Sequence, residues 1–191
     1  MVEIVGTELI LGGQRSGKSR RAEWLTQQWL SRETRHDAVM VATAQAWDAE
    51  MHRRIERHQA DRAQQLPRMR TVETPTEIAA AIRQHSHADT LIVVDCLTLW
   101  LTNLLMPAAP ENAMDEADVH LATEALVDAL ASAPGPVVLV SNEIGLGVIP
   151  MGREVRTFVD AQGQLNQRLA QMVERVTLMA AGLPLTLKGS A

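Results

Sequence analysis

GGQRSGKS, residues 12–19, follows directly on the apolar run Leu9, Ile10, Leu11 and fits the pattern G-x-x-x-x-G-K-[ST] without a gap. In such a loop Gly12, Gly13 and Gly17 let the backbone curl so that successive N–H groups point inward at a phosphate, where a Cβ would obstruct. The intervening Gln14, Arg15 and Ser16 supply further amides. Lys18 then reaches the β- and γ-phosphates, and the Ser19 hydroxyl is placed to ligate Mg²⁺. The next segment carries Ala22, Leu25, Trp29 and Leu30 at helical spacing, so the loop opens a helix whose N-terminus favours anions. Strand, loop and helix occur in the order that phosphate binding requires, and a bound nucleoside triphosphate is the expectation.

Outward from that loop, runs rich in β-branched residues recur at Glu8–Leu11, Ala38–Thr43, Leu91–Asp95, Pro136–Ser141 and Val176–Ala180, separated by helical patterns. This alternation predicts an α/β fold, a mostly parallel sheet covered by helices. Met69–Glu73 adds a strand, and Leu185–Lys188, after Pro184, returns antiparallel at an edge. A helix between Asp115 and Ser132 should bury Leu121, Ala125, Leu126 and Leu130, with an acidic start that suits the helix dipole. Pro134, Gly135 and Pro136 end it.

The chain has 191 residues, 46% of them hydrophobic, which suits one nucleotide-binding domain over residues 1–191. A net charge of -5 argues against a nucleic-acid groove, since backbone affinity rests on clustered Lys and Arg. With no tyrosine and one phenylalanine, stacking platforms for single strands are not expected either. The single cysteine, Cys96, reads as a small buried hydrophobe. The start MVEIVGTE has no basic segment of a signal peptide and no apolar stretch is long enough to span a bilayer, so a cytoplasmic protein is expected.

Other positions suit the same chemistry. Asp95 ends an apolar strand, and parallel sheets place their sites beyond the strand C-termini; it is the carboxylate expected to hold Mg²⁺. Asn142 and Glu143 follow a second such strand and either face the same crevice or form a turn with a capping Asn. From Asp48 to Arg62 the spacing predicts a helix with Arg54, His58 and Arg62 four residues apart. A histidine among arginines is held toward its neutral, nucleophilic form, but the same spacing also describes a solvated basic face.

The pieces LGGQRSGKS, VATAQAWDAEMHRRIERHQADR, TVETP, VVDCLTLWLTNLL, VLVSNEIGLGVIP and GQLNQRLAQMVERVTLMAAGLPLTLK together resemble the bifunctional adenosylcobinamide kinase / adenosylcobinamide-phosphate guanylyltransferase family of cobalamin biosynthesis. The resemblance covers nearly the whole chain. It implies a RecA-like P-loop NTPase fold, a trimeric assembly, and two reactions using ATP or GTP: phosphorylation of adenosylcobinamide, then transfer of GMP from GTP onto that phosphate. The second reaction passes through a guanylylated histidine in the family, and the matching residue is His58. The same resemblance marks Thr43, Ala44, Gln45, Gln59, Ala60, Asp61, Arg62, Glu73 and Asp95 as nucleotide contacts. The chain departs from the family's common pattern at Gln59, Ala60 and Met69. A kinase without the guanylyl step, or a nucleotide-driven switch, would leave His58 without a covalent role.

Overall fold

The computed structural model describes residues 4, 6–45, 53, 60 and 64–189. Seven strands form one sheet among them: β1 (Thr7–Gly12), β2 (Asp37–Ala42), β3 (Met69–Glu73), β4 (Thr90–Asp95), β5 (Val137–Val140), β6 (Arg175–Ala180) and β7 (Leu183–Lys188). The helices are α1 (Lys18–Arg32), α2 (Ile78–His85), α3 (Leu97–Leu105), α4 (Glu116–Ala131) and α5 (Arg153–Met172), with a short 3₁₀ turn at Pro110–Asn112. The spatial order is β3-β2-β4-β5-β1-β6-β7. Every pairing is parallel except β6 with β7. Pro184 lies in β7, at the sheet's edge, where a missing N–H leaves no ladder bond broken on the outer side.

The central strands read as unbroken apolar runs because both faces of the sheet are covered. Successive side chains alternate between two cores. Leu9, Leu11, Val39, Val41, Ile92, Val94, Val137 and Leu139 pack beneath α2, α3, α4 and α5. Ile10, Ala38, Met40, Leu91, Val93, Val138 and Val140 meet Ala22, Leu25, Trp29 and Leu30 of α1 on the other face. Full burial of each large side chain, such as Trp100 or Leu101 at 1% and 0% exposed, stabilises the fold by about 1.5–3 kcal/mol.

α1 is also held by charge. The Glu8 carboxylate, 2% exposed, accepts a bond from the Thr177 hydroxyl at 2.8 Å. It also pairs with Arg175 at 3.5 Å and Arg21 at 3.8 Å, tying β1, β6 and α1 together at one buried point.

One expectation needs correction. α4 begins with a capping box in which Asp115 and Asp118 satisfy each other's backbone N–H, but Leu121 is 67% exposed. Leu121 sits half a turn out of phase with Leu130 at 100° per residue. The buried face is instead Thr123, Leu126, Val127 and Leu130, with the Thr123 hydroxyl returned to the Val119 carbonyl at 2.8 Å. The turn after α4 requires glycine for packing: a Cβ at Gly135 would lie 2.0 Å from the His87 carbonyl oxygen.

Candidate active site

The C-terminal ends of the parallel strands all point to one side, and the candidates that directly follow or end β1, β2, β3, β4 and β5 lie there. At the end of β1, Gly12 has φ 152° and Gly17 has φ 104°, conformations that side chains with a Cβ rarely adopt. A Cβ on Gly12 would meet the Ser16 hydroxyl at 2.5 Å and the Met179 carbonyl at 2.6 Å. Gly13, Gln14 and Arg15 form the exposed outer edge of the loop, and Arg15 also has a left-handed φ of 58°. Ser16 is buried with its hydroxyl unpartnered. Its carbonyl accepts from the Gly182 amide at 3.0 Å, so the β6–β7 turn braces the loop from outside.

Lys18 is the first residue of α1 and 8% exposed. Its ammonium donates to the Gly12 and Gly13 carbonyls at 3.0 and 2.8 Å. Burial lowers its pKa, opposed by Cys96 and Asp95. Burial, with the neighbouring Asp95 charge, pushes the Cys96 thiol up to about 11, so near neutral pH that thiol is uncharged. The Asp95 carboxylate is therefore the counter-charge that matters to Lys18. Ser19, the next residue of α1, is half-buried.

Asp95 ends β4, with Ala42 of β2 on one side and Val140 of β5 on the other. Thr43 is fully buried beneath the same strand ends. Its hydroxyl donates to the Cys96 carbonyl at 2.7 Å and accepts from the Cys96 amide at 2.9 Å. The Asn103 side chain of α3 donates to the Thr43 carbonyl at 2.8 Å and to that of Pro75 at 3.0 Å. Thr43 thus clamps the β2 end to the residue after Asp95, and its hydroxyl is already engaged. Ala44 and Gln45 are half-buried beside it.

Glu73 is exposed at the end of β3. Four strand spacings, roughly 19 Å, separate β3 from β1 in the sheet order, so Glu73 stands at the far end of the row from the phosphate loop. His58, Gln59, Asp61 and Arg62 lie outside the described residues; Ala60 is described and exposed.

Asn142 and Glu143 leave β5 between the loop and Asp95. The Asn142 amide donates to the Thr98 hydroxyl at 3.0 Å and the Glu143 amide to the Gly12 carbonyl at 3.1 Å. Asn142 caps no helix, since α5 starts after Gly152. Of the side chains that anchor these strand ends, Thr98, Asn103 and Asn166 lie inside stretches that carry the family resemblance but are assigned no role by it, and Gln162 lies just outside. Their one spacing signal is the i, i+4 placement of Gln162 and Asn166 on α5, which an exposed helix face shares.

Among the described residues no helix is long and apolar enough to cross a membrane. The model of the cobinamide kinase / cobinamide phosphate guanyltransferase family matches residues 8–187. The chain is 47% identical to the bifunctional adenosylcobalamin biosynthesis protein CobP of Pseudomonas aeruginosa, over 95% of this chain and 97% of that one. It is 33% identical to the bifunctional adenosylcobalamin biosynthesis protein CobU of Escherichia coli, over 94% and 98%. In fold it is similar to the flagellar accessory protein FlaH of Methanocaldococcus jannaschii, with a TM-score of 0.53 at 11% identity over 97% of this chain and 79% of that one.

Proposed function

The chain belongs to the cobinamide kinase / cobinamide phosphate guanyltransferase family, and from that premise we propose that it phosphorylates adenosylcobinamide and then transfers GMP from GTP to the product through a guanylylated His58. Residues 1–191 act as one nucleotide-binding domain in this reading. The observation that carries it is the loop at residues 12–19, closed over a buried Lys18 ammonium beside the Asp95 carboxylate.

The nucleotide lies along the strand ends. The loop amides and Lys18 take the phosphates and stabilise charge as it develops on them. Ala44 and Gln45 at the β2 end and Glu73 at the β3 end are spaced for the nucleoside, and the stretch Gln59, Ala60, Asp61 and Arg62 completes its contacts. Ser19, next to Lys18 in α1, and Asp95, whose charge acts on Lys18, are hard oxygen donors, the donor chemistry Mg²⁺ favours, and they are the residues that would hold it. Bound there, Mg²⁺ supplies neutralising charge to the phosphates.

In the guanylyl step an imidazole nitrogen of His58 attacks the α-phosphorus of GTP, and the bond to the pyrophosphate oxygen breaks with its electron pair. The phosphate of adenosylcobinamide phosphate then displaces the histidine, giving adenosylcobinamide-GDP. In the kinase step, fed by ATP or GTP, the substrate hydroxyl takes the terminal phosphoryl group. We read the chain as assembling with copies of itself, a trimer by resemblance. Support comes from the loop after β5, where Leu146, Val148 and Met151 stand 81%, 96% and 96% exposed within six residues, a local concentration of apolar side chains of the kind that contacts between copies cover.

The test is incubation with GTP labelled at the α-phosphate, followed by peptide mapping. Acid-labile, base-stable label on His58, absent from His58→Ala while phosphorylation persists in part, is the expected result. Label on Lys18, or on the His58→Ala protein, would falsify the carrier role.

A further inference from the structure

Three polar side chains are buried in the otherwise apolar interface between β5 and α5: Ser141 and Gln162 at 0% and Asn166 at 4% exposed. Burying such groups is costly unless their hydrogen bonds are met; here the Ser141 hydroxyl, the Gln162 NH₂ and the Asn166 amide are spent largely on one another, while Gln162 Oε1 is left without a partner. The Ser141 hydroxyl donates to Asn166 Oδ1 at 2.7 Å. The Gln162 amide donates to Ser141 Oγ at 2.9 Å and to Asn166 Oδ1 at 3.2 Å. The cluster has one outlet: Asn166 Nδ2 donates to the Asn142 carbonyl at 3.0 Å and reaches Glu143 Oε2 at 3.5 Å. The other carboxylate oxygen of Glu143 accepts from the Gly145 amide at 3.2 Å. The network therefore reaches Glu143 in two ways, through the backbone of the preceding residue at the Asn142 carbonyl and by the longer contact to its carboxylate.

The strand register fixes where that is. Val140 pairs with Ile10 on one side and with Asp95 on the other, so the chain beyond β5 emerges between the phosphate loop and the metal-side carboxylate. The Gly12 carbonyl accepts from both the Glu143 amide and the Lys18 ammonium, so these two groups are separated by a single oxygen atom. Glu143 itself is only half-buried.

The two half-reactions differ in what they ask of such a group. The guanylyl acceptor is a phosphate oxyanion and has no proton to lose. The kinase acceptor is a hydroxyl whose proton must leave as the new bond forms. We propose that the Glu143 carboxylate accepts that proton, with Ser141, Gln162 and Asn166 as its positioning residues. The hydroxyl oxygen bonds to the γ-phosphorus, the bond to the bridging oxygen breaks and the nucleoside diphosphate leaves with its electron pair. The proton passes to a Glu143 oxygen and from there to solvent. The assignment rests on the kinase reading above and adds a residue to it.

The experiment measures, on the full chain, phosphorylation of cobinamide and GMP uptake from α-labelled GTP in parallel, and reads the ratio of the two rates. Glu143→Gln keeps the shape and the acceptor for Gly145, and should lower the kinase-to-guanylylation ratio by about a hundredfold or more, the usual range for a lost proton acceptor. Glu143→Asp, which keeps the charge on a shorter arm, should lower it less. Asn166→Ala should lower the same ratio, and the double variant with Glu143→Gln should fall no further than Glu143→Gln alone. An unchanged ratio in Glu143→Gln, or equal loss of both activities, overturns the role of Glu143, and additive losses overturn the positioning role. A wild-type protein that takes up GMP but never phosphorylates cobinamide overturns the kinase reading itself, a different result from a working kinase indifferent to Glu143→Gln.

Discussion

Thr43→Val is the substitution that best separates support beneath the site from contact with the nucleotide. Valine matches threonine in shape, so the change removes two hydrogen bonds, at 2.7 and 2.9 Å, and little else. The Cys96 carbonyl loses its bond from the hydroxyl, and the Cys96 amide loses its acceptor, in a buried position beside the fully buried Thr43 side chain. Each orphaned buried group costs about 1–3 kcal/mol, so the pair comes to roughly 2–6 kcal/mol. Against a total stability of about 5–15 kcal/mol that is a large share. With a urea slope near 2 kcal/mol/M, the midpoint should drop by about 1–3 M at unchanged slope. Thr43→Ser keeps the hydroxyl and gives up one methyl, and should lose only about 1 kcal/mol. Urea unfolding of the three proteins without nucleotide is the assay. A Thr43→Val midpoint within about 0.3 M of wild type would refute the clamp, as would destabilisation that shows only with nucleotide bound.

Lys18→Ala should reduce both half-reactions by about a hundredfold or more, as loss of a charge contact to the transferring phosphates does; near-normal rates at saturating nucleotide would remove the loop from the chemistry. Asp95→Asn should leave folding intact and move the Mg²⁺ titration of both activities to higher concentration, and an unshifted titration would make Asp95 a structural strand end. For Cys96, burial favours the neutral thiol in the folded chain, so its contribution to stability is complete below about pH 9 and is lost as pH rises through about 11. Alkylation of the folded protein at pH 8 should accordingly be far slower than that of a free thiol and still climb above pH 9; a plateau below pH 9 would contradict this.

The phosphate loop and the sheet were legible because each rests on local chemistry. A glycine-rich turn followed by Lys18 needs no distant partner to be recognised, and strands buried on both faces must read as apolar runs whatever packs on them. Every expected strand lies within two residues of its observed span. α4 shows where local pattern fails: Leu121 and Leu130 look alike in sequence, yet only the position of α2 and α5 decides which is buried. The resemblance marks Thr43 as a nucleotide contact; that its hydroxyl also answers to Cys96, 53 residues away, is a pairing that no spacing announces. The pairing of Ser141 with Gln162 and Asn166 was invisible for the same reason: the residues stand in an expected strand and a helix, but an amide on a helix reads as surface until another element closes over it.

The phosphate loop is held by parts of the chain far from it, and this bears on synthesis. Residues 12–19 are made before every element that holds them: β1 finds its two neighbours only in β5 and β6, and the amide that braces Ser16 belongs to Gly182. Until about residue 140 has emerged, β1 has no ladder to join. Until Gly182 has emerged, the loop lacks its outer support. Strands that wait this long for partners expose apolar edges in the meantime. A nascent chain stalled before β6 should therefore fail to retain nucleotide although its whole binding motif has been translated, and competence to bind should arrive in one step when the β6–β7 turn clears the exit tunnel.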